Sequence, residues 1–247
     1  MCCFSLPVES VSGTEIYARR SSGTRQFLVY SMRYRAKEDL AMILPLPVPQ
    51  PAADDAVRFI NLENHADFFE QLGRGFPRPR SSQGGSFGGA GSAATGVLAV
   101  VEVGSFSASF VPTVKDFSRL DARFQLPKGT WEALPNYRDY GFAVFKLKRG
   151  AERVHPMAFE FPRRDAQQLF FPTVHIHDGK VHATAHFDHT LYCQADGAES
   201  KLMDWEESAR HAGAFMTLDP QQPLVGLSHH VYRRRIVGEQ KNIDIVV

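Results

Sequence analysis

Thr14-Glu15-Ile16-Tyr17-Ala18-Arg19, then Ser21-Ser22-Gly23-Thr24, then Gln26-Phe27-Leu28-Val29-Tyr30-Ser31-Met32-Arg33-Tyr34: this stretch decides the fold class. Its two ends are rich in β-branched and aromatic residues, and its middle has hairpin chemistry, so it predicts two strands joined by a tight turn. Working outward, Leu40 to Leu46 is a short apolar run stopped by Pro45, Pro47, Pro49 and Pro51. Alternate prolines cannot donate to a ladder, so this segment is expected at an edge or at an exit from the sheet. Val57–Leu62, Val97–Val103, Ser105–Val111, Tyr140–Lys148, Met157–Phe161, Leu169–His177, Val181–Cys193 and the stretch through Val231, Tyr232 and Ile236 carry the same signal. Helix is expected over His65–Leu72, capped by Asn64 and striped with Phe68, Phe69 and Leu72. Shorter pieces are expected near Val114–Leu120 and Thr130–Leu134, and Asp204-Trp205-Glu206-Glu207 has the form of a capped helix start. The class this predicts is α+β, mainly antiparallel sheet with three or four short helices, in a single domain over 1–247.

Composition narrows the function. The chain has 247 residues, 28 Lys plus Arg against 27 Asp plus Glu, and 43% hydrophobic residues. A near-zero net charge argues against a nucleic-acid partner bound through a basic surface. No run approaches the 18 apolar residues of a membrane helix, and the start has neither a basic region nor a long apolar core. Three cysteines do not make a disulfide scaffold, so a reducing cytoplasm is the expected compartment. Residues 78–96 are rich in Gly, Ser and Ala and uncharged after Arg80, which predicts a mobile loop. A phosphate-cradling loop would need a helix after it, and here a strand signal follows.

Five of the ten histidines fall within 175–189. Asp178-Gly179 between two alternating runs is a strong hairpin signal. A two-residue turn there sets His175 opposite His182 and puts His175, His177 and His182 on one face, with Ile176, Val181, Ala183 and Phe187 on the other. Imidazoles about 5–7 Å apart can converge on one ion, and zinc, copper and iron all suit them. His186 lies too far along the strand to join. A helical 181–189 would instead align His182, His186 and His189. The plainer alternative is a solvated polar face, with Lys180 opposing a cation. On the metal reading the protein binds a divalent transition ion and could use it as a Lewis acid.

Met1-Cys2 followed by a short apolar strand resembles the opening of the cysteine N-terminal-nucleophile amidohydrolases. That resemblance implies Cys2 as nucleophile once Met1 is removed, with its own α-amine as base, and Arg19 or Arg20 orienting a small-molecule or peptide substrate. The whole opening, from the cysteines through Thr14–Arg19, Phe27–Tyr34 and Asp39-Leu40-Ala41-Met42-Ile43-Leu44-Pro45-Leu46-Pro47, is similar to a bacterial β-rich family of unknown function, which implies no activity. A third reading is a non-catalytic binding module. Cys193 shares the core face of its strand with Phe187, His189 and Leu191. Arg163-Arg164-Asp165 and Arg233-Arg234-Arg235 read as solvated faces, and of His229 and His230, which point to opposite faces of a strand, at most one could be a fourth ligand.

Overall fold

β2 (Ser10–Arg20) and β3 (Arg25–Ala36) form the hairpin, with Ile16 opposite Tyr30 and Arg20 opposite Gln26. Gly23 turns the chain at φ 60°, a conformation that side-chain-bearing residues resist. The structure, a computed structural model, describes residues 2–76, 100–103, 106–121, 124–126, 129–153, 155–177, 180–195, 202–218 and 223–247. The glycine-rich segment 78–96 and the Asp178-Gly179 turn lie outside the described residues.

Two sheets stack. In the larger, β2 and β3 are flanked on one side by β13 (Thr184–Gln194), β15 (Tyr232–Lys241) and β14 (Glu206–Glu207). On the other side lie β10 (Met157–Pro162) and β5 (Arg58–Ile60), while β9 (Gly150–Arg153) pairs with the far end of β3. The second sheet runs β12 (His175–Ile176), β1 (Cys2–Phe4), β4 (Leu40–Leu46), β8 (Gly141–Leu147), β7 (Phe106–Val111) and β6 (Val100–Val103). A small third sheet pairs β11 (Phe170–Phe171) with β16 (Ile245–Val246).

Between the two large sheets, Phe4, Met42, Leu44 and Phe145 meet Ile16, Leu28, Tyr30, Phe159 and Leu191. Each such side chain contributes about 1.5–3 kcal/mol when fully buried. Both sheets are also covered on their outer faces. Helix α1 (Phe68–Arg74) lays Phe68, Phe69 and Leu72 on Tyr17, Val29 and Tyr192. Phe117, Leu120, Leu134 and Tyr137 cover Cys3, Ile43 and Val144. Burial on both faces explains why Leu40 to Leu46 is apolar throughout instead of alternating.

The α+β expectation is corrected. The protein is mostly β with mixed sheets, and α1 is the one α-helix among the described residues. Val114–Arg119 and Pro135–Tyr137 are short 3-10 turns, and residues 129–133 form turns without a helix. Segments this short do not repay helix nucleation. Glu206–Glu207 is a strand because β15 supplies a partner, with Arg233 opposite Glu206 and their side chains paired at 2.5 Å. The helix begins at Phe68 rather than after Asn64, and Gln71 Nε2 donates to Asp67 Oδ1 at 2.8 Å. β4 is also interior, not an edge: β1 and β8 flank it. Pro45 lies next to the last residue of β4, beyond the pairs Met42 and Ile43 that the described residues of β1 make, and faces Phe142 of β8 on the other side. No helix among the described residues is long and apolar enough to cross a membrane.

Candidate functional site

His175 belongs to β12, which pairs in parallel with β1 so that Cys2 stands opposite His175 and Cys3 opposite Ile176. This non-local pairing turns His175 inward. The ring is buried, and its Nδ1 lies 3.0 Å from His177 Nε2, one nitrogen donating to the other. His189 projects from β13 on the same side as Phe187, Leu191 and Cys193, and its ring is 1% exposed. The His175 ring centroid lies 4.7 Å from that of His177, 4.7 Å from that of His189 and 4.6 Å from that of Phe187. Phe4 closes over His177 at 5.7 Å. Two buried imidazoles, His175 and His189, and the half-buried His177 therefore form one aromatic cluster with Phe4 and Phe187.

The cluster is short of hydrogen bonds. His175 Nε2, both ring nitrogens of His189 and the hydroxyl of Thr14, which stands opposite His189 in the β2–β13 ladder, are buried without a hydrogen-bond partner among the described residues. Asp188 Oδ1 lies 3.9 Å from His189 Nδ1, beyond hydrogen-bond reach. An unmade bond of this kind costs about 1–3 kcal/mol per group. Burial, reinforced by the neighbouring imidazoles, pushes the His175 pKa down to about 3 and that of His189 to about 2. Both rings are therefore neutral, with a lone pair available, at physiological pH.

Of the three histidines expected to share a face, the structure brings together His175 and His177. His182 is exposed and lines a separate cleft, and Val181 and Ala183 are exposed beside it. β12 pairs with β1 and not with 181–183, so His175 and His182 are not ladder partners. They are bridged by Asn242, whose Oδ1 accepts from His175 N–H at 2.7 Å and whose Nδ2 donates to the carbonyls of His175 and His182, each at 2.9 Å. His186 is exposed, and the helical alternative for 181–189 is replaced by β13. Among the described residues, no three His, Cys, Asp or Glu side chains stand in ligand geometry around one point.

Cys2 and Arg19 stand on different sheets. Arg19 Nη1 donates to Pro223 O at 3.0 Å and Arg20 Nη2 to Gln167 O at 3.0 Å. Cys193 is buried, and burial pushes its thiol far above the ordinary range.

The cleft beside Asn242 has a volume of about 760 Å³. Tyr137, Tyr140, Arg163 and Arg164 form one side, and Val181, Ile243 and Val246 form an apolar rim, each more than a third exposed. Asp244 pins its floor: Oδ1 accepts from Thr173 N–H at 2.8 Å and Val174 N–H at 3.1 Å, and Oδ2 accepts from Tyr137 O–H at 2.5 Å. Burial, then the Asp244 charge, holds the Tyr137 hydroxyl protonated. Arg164 lies over the Tyr140 ring at 5.1 Å and is held by Asp139 at 2.9 Å, while buried Arg163 donates to the carbonyls of Thr24 and Gln168. These walls are preset by bonds that the protein makes to itself.

No family model matches the chain. Solved structures similar to it include baculovirus P35, at 15% identity over 97% of this chain and 96% of that one, with a TM-score of 0.48. A mutated baculovirus P35 after caspase cleavage gives 14% identity, 95% and 99% coverage and a TM-score of 0.49. The caspase-8/P35 complex gives 12%, 95% of each chain and 0.47. At these values no residue role passes from those proteins to this one.

Proposed function

We propose that this is a non-catalytic binding protein whose cleft takes an extended peptide segment of a protein partner. The observation that carries the reading is the cleft itself: about 760 Å³, with a wall of Tyr137, Tyr140 and Arg164 and an exposed apolar rim of Val181, Ile243 and Val246. That volume lies in the usual range for ligand sites. Tyrosine and arginine are the residue types that dominate binding energy at protein interfaces. The wall residues are held in place before any partner arrives, which lowers the ordering cost of association.

The test is selection of a displayed random-peptide library on the purified full chain, followed by titration of the enriched peptides. Saturable binding should weaken at least tenfold in Tyr140→Ala and in Val246→Asp, while the melting temperature stays within a few degrees. Caspase-8, the partner in one of the compared complexes, is an added probe in the same assay; the reading does not rest on that likeness. No saturable peptide, or binding that ignores both cleft variants, overturns it. For the amidohydrolase alternative, Arg19 and Arg20 lie on β2, in a different sheet from Cys2, and donate to the carbonyls of Pro223 and Gln167.

A further inference from the structure

Among the described residues, four buried polar atoms without hydrogen-bond partners belong to one neighbourhood: His175 Nε2, His189 Nδ1 and Nε2, and Thr14 Oγ1. Native interiors leave very few such groups, and one explanation for a cluster of them is an ion that the fold is built to hold. We propose that His175, His177 and His189 form a binding site for a divalent first-row transition ion, with zinc as the tetrahedral case. The inference is independent of the cleft.

The spacing supports it. Tetrahedral zinc with nitrogen ligands at about 2.0–2.1 Å sets neighbouring ligand nitrogens about 3.3 Å apart and imidazole centroids about 5 Å apart. His175 Nδ1 and His177 Nε2 are 3.0 Å apart, and the centroid spacings from His175 to His177 and to His189 are both 4.7 Å. Two of the three ring pairs, those that share His175, thus already stand at ligand spacing. What differs is the direction of the lone pairs, since the side chains as they stand do not converge on one point. Binding requires the His175–His177 hydrogen bond to open and the His189 ring to turn about its side-chain bonds. Among the described residues no hydrogen bond restrains that ring, which is held by packing against His175 at 4.7 Å and Phe187 at 4.9 Å. Asp188 Oδ1, 3.9 Å from His189 Nδ1, is the carboxylate placed to orient the turned ring. Phe4 and Phe187 supply the dry shell that strengthens such a site. Imidazole nitrogen is a good donor to zinc and copper alike, so the assay uses both ions. A fourth position would be filled by water held at the Thr14 hydroxyl.

The experiment uses the full chain purified without an affinity tag and stripped with a chelator. Zn²⁺ and Cu²⁺ are each titrated against a chromophoric competitor. Co²⁺ is added separately, as a probe whose visible spectrum reports tetrahedral nitrogen ligation without any variant. One ion per chain is expected, with affinity lowered at least tenfold in His175→Gln, His177→Gln and His189→Gln and unchanged in His182→Gln and His186→Gln. If His189→Gln fails to fold, the tetrahedral Co²⁺ spectrum of the unaltered protein and its rise in melting temperature with Zn²⁺ decide the matter. Substoichiometric binding, an octahedral Co²⁺ spectrum, or affinity that follows His182 or His186 overturns the site.

Discussion

Acidification of the chelator-stripped protein from pH 7.5 to 5.0 should cost it about 4 kcal/mol through two side chains alone. His175 and His189 are held near pKa 3 and 2 by burial, with adjacent imidazoles adding to the shift. In the unfolded chain each returns to about 6.5. The folded value is depressed, so the fold keeps both rings neutral while the unfolded chain takes up protons below pH 6.5. Their contribution is complete above that pH and is lost as pH falls. Each unit below 6.5 costs about 1.36 kcal/mol per ring, so pH 5.0 costs about 2 kcal/mol for each. Urea unfolding at the two pH values, in wild type, His189→Leu and the pair His175→Phe with His189→Leu, measures this. The pH-dependent loss should shrink by about 2 kcal/mol in the single variant and about 4 in the double. Equal losses in all three proteins would mean that these rings accept protons in the folded state, and the buried-cluster argument would fail.

Three further outcomes follow from named contacts. Glu160 is buried but accepts from Arg58 at 3.0 and 3.1 Å and from Ser21, with Arg25 at 3.4 Å; burial raises its pKa, yet those partners outweigh burial and the net shift is downward. Glu160→Gln should cost about 1–3 kcal/mol in thermal melts, and the wild-type advantage, present above the unfolded pKa of about 4.3, should vanish as pH falls through the folded value. A Cβ on Gly141 would lie 2.6 Å from Phe110 Cζ and 2.9 Å from Val48 Cγ2, so Gly141→Ala should lower stability by about 1–3 kcal/mol through overpacking, measured by urea midpoint. Asn242→Ala strips the His175 N–H of its acceptor; amide exchange at His175 should speed at least tenfold, and unchanged protection would show that the bond carries no weight.

The strands were legible where burial leaves a mark on composition. Leu40–Leu46, Gln26–Tyr34 and Met157–Phe161 read as β because both faces of each sheet are covered, and covered strands must be apolar almost throughout. The short helices were not legible as absences. A capping pattern such as Asp204 to Glu207 is local chemistry, and it yields when a neighbour such as Arg233 offers Glu206 a ladder and a charge. Local rules expected the alternate prolines at an edge or at an exit from the sheet, and β4 does end at Leu46, before Pro47, Pro49 and Pro51. They do not show that β4 is interior, with β1 on one side and β8 on the other.

The histidines show where local reasoning runs out. An Asp-Gly pair pins a hairpin register only when long strands leave both sides of it. Here β12 has two residues and takes its partner from the other end of the sequence, Cys2 and Cys3. That parallel pairing is invisible to any window around residue 178, and it turns His175 inward and leaves His182 in the cleft wall. The useful signal lay in β13, where parity sets His189 among Phe187, Leu191 and Cys193 on an otherwise apolar face. Placing an imidazole there carries a desolvation cost that an apolar residue would avoid. Such a position calls for a partner, and the partner arrives from β12, which sequence distance hides. His175 and His177 come from β12 and the residue after it, and His189 from β13 of the other sheet, so the cluster is a product of topology and not of a motif.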